Sequence, residues 1–556
     1  MSSSKSRERD REYEYEGEEE NDFETFKIDT NVLFHPGKFL KNRYILLIKI
    51  GQGANAEVYL AYDIKDLNNP KKKERFYAIK IQNCESHVGG KREVEFLEEM
   101  KQYIISKKIN SDDVHINLAL DNFVYIDTNV DSKNAKDTTY YCMVFEVYEQ
   151  SIYNIIRKGI YSCGIDMQYV KKMVKQILIS LDFIHNKMGY IHTDIKLENI
   201  LYCGGNPMYT ALMNDWTECS KKINEELIEI KTKFIAKNEA LNKEQWENEK
   251  AYIRAYTKLN NIYNKEIEDI AVSYLNSIIF AYDFDNDNSD DEDVEYEDDE
   301  TSKKQSTQKI KTVKAPKEEK LNKRQQDRDD FPSDINVKHM IDMDSDTTSD
   351  FVTVPLNVDK ETLVPTQTVS TQQMRHIILA LTDFGSTRKK SDLNASKREV
   401  SPRMIRAPEV IMGLDWDDKI DIWGLGISMF RLITGYELID CDDSNGHIDI
   451  EHLYLIEKQF GKIPTWMIES SPRRAVLFDE NRNNHLKGLR EFKPYPLKRR
   501  LVEQFRVPAE EVDVLWGFLG KLLEIDPKKR ASAQELLDDP WINNSDWLRN
   551  FSTDAK

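Results

Sequence analysis

Asp194 and Asn199 sit five residues apart in the segment YIHTDIKLENIL, residues 190–201, with apolar residues on both sides. A carboxylate in that place can orient a hydroxyl and accept its proton. An amide oxygen can bind a divalent metal ion, and Lys196 between the two can stabilise charge on a group in transfer. His192 is read as packing and hydrogen bonding within the loop rather than as a base. A second acidic ligand for metal is Asp383, which opens Asp383-Phe384-Gly385 directly after the β-like run HIILAL. Lys80 ends the apolar run YAIK, where its stem can pack while the ammonium reaches phosphate oxygens. Glu93, in KREVEFLEEM, heads a helical pattern and can pair with that lysine; Glu95 is the neighbouring alternative.

Upstream lies GQGANAEV, residues 51–58. Gly51 and Gly53 let a backbone approach phosphates with no Cβ in the way. Ala56 stands where the G-x-G-x-x-G-x-V pattern has its third glycine. Two glycines in a turn usually just close a hairpin, and a lone Asp-Phe-Gly is common. The order separates these cases: glycine loop, AIK, H-x-D-x-K-x-x-N, Asp-Phe-Gly, then RAPEV at 406–410. Together they describe transfer of the γ-phosphoryl group of ATP, assisted by Mg2+, through positioning and charge stabilisation.

The elements that must hold these residues fall in two blocks. Residues 39–203 begin with β-type runs (Tyr44–Ile50, Glu57–Tyr62, Phe76–Gln82, Tyr141–Val147) and continue with helical patterns, notably Gln168–Lys187. Residues 376–546 are mostly helical. Asp421 and Trp423 of DIWGLG fit the start of a buried helix, and Glu409 is expected to pair with Arg530. Between the blocks, 204–375 changes character. Residues 217–280 carry apolar positions at three- and four-residue spacing and predict helix. Residues 283–370, acidic at 290–300 and then rich in Lys, Gln, Ser and Thr, have little to bury and predict disorder. So do residues 1–38, and 547–556 form a short tail.

The 556 residues carry a net charge of −19, which argues against a direct nucleic-acid partner and fits partners with basic segments; solubility explains it as well and is preferred on charge alone. The cysteines are scattered without a C-x-x-C pair, so neither a disulfide framework nor a zinc site is expected. The start is too charged for a signal peptide, and no apolar run is long enough to span a bilayer. The expected protein is an intracellular monomer, cytoplasmic or nuclear, with no membrane partner.

Over nearly all of 44–203 and 376–542 these motifs resemble the eukaryotic protein kinase superfamily. Within its CMGC group they are most similar to the SR-protein kinases. HTDIK, with Thr193 in place of the usual arginine, is typical of that branch. So is a spacer between the catalytic loop and Asp-Phe-Gly; here Asp194 and Asp383 are 189 residues apart. The hinge-like CMVFEV and the C-terminal LLEIDPKKRASAQELLDDPWI complete the likeness. The resemblance implies an α+β bilobal kinase fold, with a small lobe over 39–147 and a large lobe over 148–203 plus 376–546. It implies ATP held by Ile50, Gly51, Gln52, Gly53, Ala54, Asn55, Ala56, Glu57, Val58, Ala78, Lys80, Phe145 as gatekeeper, Glu146 and Tyr148. Mg2+ falls to Asn199 and Asp383, and catalysis to Asp194, Lys196, Lys80 and Glu93. Protein substrates are implied, arginine/serine-rich ones among them, with Asp440, Asp442, Asp443, Asp449 and Glu451 as acidic docking residues; a solvated loop is the equal alternative. The chain departs from the branch in having Asp-Phe-Gly rather than Asp-Leu-Gly. It also has Pro402-Arg403-Met404-Ile405-Arg406 where T-R-Q-Y-R is usual, which bears on the substrate pocket. Thr193 cannot bind a phosphate as arginine does, so activity without activation-loop phosphorylation is expected. Rival readings are a pseudokinase scaffold, a kinase for lipids or small molecules, and a kinase of the same group with a Ser-Pro target.

Overall fold

A computed structural model describes residues 28–279 and 369–543, apart from short stretches at 31, 54, 68–74, 84–85, 128–138, 149, 158–160, 204–206, 393–398, 442–446, 480–484 and 489–492. The expected disorder over 283–370 lies outside the described residues except at 369 and 370, where Val369 is buried.

The small lobe is a six-stranded antiparallel sheet in the order β1-β2-β3-β4-β6-β5. Its strands are β1 (Phe39–Leu40), β2 (Tyr44–Gln52), β3 (Ala56–Asp63), β4 (Phe76–Gln82), β5 (Asp121–Ile126) and β6 (Thr139–Phe145). β6 ends two residues before the expected Val147, so Glu146 and Val147 already belong to the connection between lobes. β2 is buried along five consecutive residues, because both faces of the sheet are covered. Side chains alternate across a strand. On one face Tyr44, Leu46, Tyr59, Ala61, Ile79, Ile81 and Val144 pack with Phe34. The opposite face carries Leu60, Ala78 and Phe145, which stand opposite one another on β3, β4 and β6.

That second face is covered from two sides. Helix α1 (His87–Lys107) packs Phe96, Leu97 and Met100 against the β4–β6 side. The β1–β3 side is covered by the insert. Its two long helices, α4 (Pro207–Lys243) and α5 (Glu249–Ile279), form an antiparallel hairpin; Tyr274 meets Glu226 while Phe234 stacks on Tyr263 at 4.3 Å. Leu212, Trp216, Ile223 and Leu227 of α4 and Ile267, Ala271 and Leu275 of α5 close over Ile45, Leu47, Leu60 and Tyr62. The helix begins ten residues before the expected 217, with Pro207 at its first position, where a missing N–H costs nothing. Tyr209, Leu212 and Trp216 already keep helical spacing there.

The described residues of 28–38, expected to belong to a disordered tail, are anchored at Ile28 and from Phe34 onward. Ile28 enters the core between sheet and insert, and Phe34 crosses to the other face, edge-on to Tyr125 and Tyr140 at 5.2 and 5.1 Å. Gly37 has φ +91°, and a Cβ there would stand 2.4 Å from Val272 of α5, so only glycine lets the chain pass under the helix. Unlike the charged residues before it, the segment carries apolar anchors, and it is also held by Lys38 and the Phe39 amide on Glu268.

The large lobe surrounds two helices, α3 (Met167–Asp182) and the buried Lys419–Thr434. The expected Gln168–Lys187 helix is α-helical to Asp182, then widens into a π-type turn over Phe183–Met188 that Gly189 ends at φ 72°. At Gly424 a Cβ would lie 3.0 Å from the Ile195 carbonyl, so the buried helix can press close beneath the 190–201 loop. β9 (Ile200–Cys203) sits between β7 (Gln150–Ser151) and β10 (Ile378–Leu381), and joins the chain on either side of the insert. No described helix is long and apolar enough to cross a membrane.

Candidate active site

Lys80 stands on β4, on the sheet face that also bears Ala78, Val58 and Phe145. Its Nζ lies 2.9 Å from both carboxylate oxygens of Glu93 and 2.9 Å from Asp383 Oδ1. Glu93 is fully buried on α1, whereas Glu95 faces solvent and pairs with Lys91, so Glu93 is the lysine's partner. Glu93 also accepts a hydrogen bond from the Phe384 amide at 3.2 Å. Phe384 packs on Phe96 of α1 at 5.0 Å and on His192 at 5.2 Å. These contacts hold Asp383 in a left-handed conformation, φ 65°, rare for a residue other than glycine. Burial alone would lower the Lys80 pKa, but Glu93 and Asp383 outweigh it and the net shift is upward. The Lys80 ammonium holds Asp383 below the usual carboxylate range. Burial pushes Glu93 up, and Lys80 offsets this only in part.

The 190–201 loop hangs on Asp421. This buried carboxylate accepts the His192 and Thr193 amides, both at 2.7 Å, and His185 Nε2 at 2.8 Å. Thr193 is thereby fixed at φ 72°. His192 accepts the Asp194 amide on Nδ1 at 3.2 Å and donates from Nε2 to the Thr382 carbonyl at 3.1 Å. It is a packing residue in the geometry, and both ring nitrogens are taken. Asn199 donates to the Asp194 backbone carbonyl and to Asp194 Oδ2, both at 2.9 Å, and Lys196 Nζ lies 3.1 Å from Oδ2. The other carboxylate oxygen, Asp194 Oδ1, is buried with no hydrogen-bond partner. The β9–β10 pairing, continued by the Thr382 amide on the Asn199 carbonyl at 3.0 Å, brings Asn199 beside Asp383 across the whole insert.

This donor set suits a hard divalent cation. Asn199 spends its nitrogen on Asp194, which turns its oxygen outward, and Asp383 adds carboxylate oxygen. No group of three or more His, Cys, Asp or Glu side chains able to hold a metal occurs among the described residues.

Around the glycine loop, the Gly53 amide donates to the Ala56 carbonyl at 2.9 Å and closes the turn. Ala54 lies outside the described residues. Ala56 is buried in the ladder opposite Gln82, Gln52 is exposed, and Asn55 Oδ1 accepts from Ser86. Glu57 is engaged by Lys49 and by the Tyr59 hydroxyl. Phe145 is buried at the end of β6, followed by exposed Glu146 and half-buried Tyr148.

A model of the protein kinase domain matches residues 44–210 and 366–542. The chain belongs to the protein kinase family. This kinase is 31% identical over 95% of its length to the serine/threonine-protein kinase L205 of Acanthamoeba polyphaga mimivirus, covering 92% of that protein. It is 25% identical to protein kinase dsk1 of Schizosaccharomyces pombe, with 92% of this chain and 83% of the other aligned. To SRSF protein kinase 3 of Mus musculus it is 24% identical, with 91% and 87% aligned. Among its kinase relatives it is therefore similar to the SR-protein branch. It is an ATP-dependent protein serine/threonine kinase, and the scaffold reading has no support.

The kinase's acidic loop is divided between residues open to either expected reading, docking or solvated, and residues that fit neither. Asp449 is clamped by Arg403 and by Arg473 Nη2, the latter at 2.6 Å, and Glu451 is buried. Neither is open to a substrate arginine. Asp442 and Asp443 lie outside the described residues, and Asp440 is exposed. Beside Asp440 the kinase gathers two carboxylates that the sequence did not single out, Glu198 and Glu437. Burial, then the neighbouring Glu198 and Asp440, keep Glu437 above its usual pKa against the pull of Arg431. Glu198 adjoins Asn199 in the loop itself, and that adjacency was the available signal. Glu409 and Arg530 pair as expected, at 2.6 and 3.0 Å and wholly buried, with the guanidinium over Trp423.

Proposed function

We propose that this kinase phosphorylates serine in arginine- and serine-rich protein segments, using Mg2+ as its metal. Asp194 accepts the proton of the substrate hydroxyl on Oδ1, the buried oxygen that no protein group satisfies; this atom is the observation on which the role rests. Lys80, held by Glu93, contacts the α- and β-phosphates of ATP, and Lys196 stabilises charge on the γ-phosphoryl group. Asn199 and Asp383 would hold Mg2+, which shields phosphate charge when bound. Ile50, Val58, Ala78 and Phe145 bound the adenine slot, with the backbone of Glu146 and Tyr148 along its edge.

Glu198 and Asp440, beside a Glu437 already paired with Arg431, leave the loop a local excess of negative charge, suited to a guanidinium beside the target serine. The names of the SR-type relatives support the same substrate class. The activation segment is tied to the loop without a phosphate. Thr193 Oγ1 donates to the Ser386 carbonyl at 3.1 Å, and Ser401 Oγ donates to the Thr193 carbonyl at 2.7 Å. Phosphatase-treated enzyme therefore keeps its activity.

The test is Mg·ATP phosphotransfer to an Arg-Ser repeat peptide, a Ser-Pro peptide and an acidic peptide, by wild type, Asp194→Ala and Glu198→Gln. The Arg-Ser peptide is expected to be preferred. Asp194→Ala is expected to lose about 10²–10⁴ in kcat, and Glu198→Gln to raise KM for the Arg-Ser peptide alone. Transfer only to the Ser-Pro peptide, or activity lost on phosphatase treatment, would overturn the corresponding part.

A further inference from the structure

β2 and β3 do not pair evenly. Lys49 stands opposite Tyr59 and Gly51 opposite Val58, so Ile50 is an extra residue, bulged out immediately before the glycine loop. A bulged residue loses its place in the ladder. The Ile50 carbonyl finds a donor outside the sheet: Tyr209 Oη, 3.3 Å away, from the first turn of insert helix α4. Tyr209 is itself buried.

The same stretch of α4 runs along the edge of the nucleotide slot. The Ile50 side chain packs both into the main core and into the core between sheet and insert. Val147, just beyond β6 in the inter-lobe connection, packs against that second core too, as does Met213, one turn after Tyr209. The insert thus touches the segment before the glycine loop directly and shares a core with the segment after β6, the two between which an adenine would lie. It does so on the sheet face that carries Lys80, since Leu60 under α4 stands directly opposite Ala78.

We propose that Tyr209 is a positioning residue for ATP: its hydroxyl fixes the Ile50 bulge and so sets the height of the Gly51–Gly53 hairpin over the triphosphate. The helical part of the insert is then a fixed wall of the nucleotide site rather than a mere spacer. The proposal rests on the ATP-kinase reading. A role confined to folding is separable from it, because α4 makes a second hydrogen bond to the sheet far from the bulge, from the Tyr62 hydroxyl to Asn224 Oδ1 at 3.2 Å.

The experiment compares full-length wild type, Tyr209→Phe and Asn224→Ala. Tyr209→Phe keeps the ring and loses only the hydroxyl. It is expected to raise KM for ATP, and Kd for Mg·ADP by calorimetry, by about three- to tenfold, the worth of one hydrogen bond. Its kcat at saturating ATP and its KM for peptide stay as in wild type. Asn224→Ala is expected to lower Tm with KM for ATP unchanged. If Tyr209→Phe binds nucleotide within twofold of wild type, or Asn224→Ala weakens it equally, the proposal is overturned. Wild type failing to bind Mg·ATP or Mg·ADP at all would instead sink the reading on which it rests.

Discussion

Replacing Asp421 by asparagine exchanges one oxygen for an amide nitrogen at the point from which the 190–201 loop is suspended. Asp421 Oδ1 accepts the Thr193 amide and Oδ2 accepts both the His192 amide and His185. An asparagine has a single acceptor. Turned toward His192 and His185, it leaves its NH2 facing the Thr193 N–H, donor against donor; turned the other way, it leaves two donors unmet. Every group concerned is buried. One unmet buried donor costs about 1–3 kcal/mol, and the loss of the carboxylate's charge-assisted bonds adds to it, so about 2–4 kcal/mol is expected. Thr193 sits at φ 72° and is kept there by that bond, so the strain is relieved by letting the peptide before Asp194 relax. A displacement near 1 Å of a positioned group costs on the order of 10²-fold in rate. Asp421→Asn should therefore lower kcat by about that factor while Kd for Mg·ATP changes less than kcat, because Lys80, Glu93 and Asp383 belong to other elements and only Asn199 of the nucleotide-metal site shares the loop. Single-turnover phosphotransfer gives the rate, calorimetry the affinity, and thermal unfolding the stability. A variant with wild-type kcat and Tm would refute the claim that Asp421 suspends the loop.

Two further outcomes follow from buried charge. Glu409→Gln leaves the Arg530 guanidinium buried without its anion and should destabilise by about 3–5 kcal/mol; the double variant Glu409→Gln/Arg530→Met should recover part of the loss in thermal unfolding, and no recovery would count against an isolated pair. His452 is buried with neither ring nitrogen partnered, and burial, then Arg403 and Arg406, lower its pKa to about 3, with Asp449 pulling the other way. It stays neutral in the fold but takes a proton in the unfolded chain below about 6.5. Its contribution is thus complete above that value and declines as pH falls toward 3, amounting to about 2 kcal/mol by pH 5. His452→Leu should flatten the fall of stability between pH 7.5 and 5, and an unchanged slope would refute the assignment.

Much of the site was legible because phosphoryl transfer dictates residue types at fixed spacing. Asp194, Lys196 and Asn199 share one short loop, and that closeness in sequence is closeness in space. Lys80, Glu93 and Asp383 come from three distant elements, yet each sits at the end or head of a readable pattern. Charge was a poorer guide. Asp449 and Glu451 read equally as docking residues or as a solvated loop, but an acidic residue does not announce its partner, and Arg403 and Arg473 take up Asp449. Glu198 was overlooked although it lies inside the best motif, because its effect depends on Glu437 and Asp440 arriving beside it.

Amphipathic spacing in the insert gave helices but could not say what their apolar stripes would cover. The stripe of α4 and α5 matches the stripe on β2 and β3 only once the sheet exists; Ile28 is anchored only where both meet, and Phe34 only on the sheet's other face. Residue identities by themselves determined the chemistry, because each role admits one or two side-chain types. Tertiary packing alone decided which surfaces meet, including the contact of Tyr209 with Ile50. Burial rewards any apolar match of sufficient area, so the partner is chosen by the shape that the rest of the chain has already made.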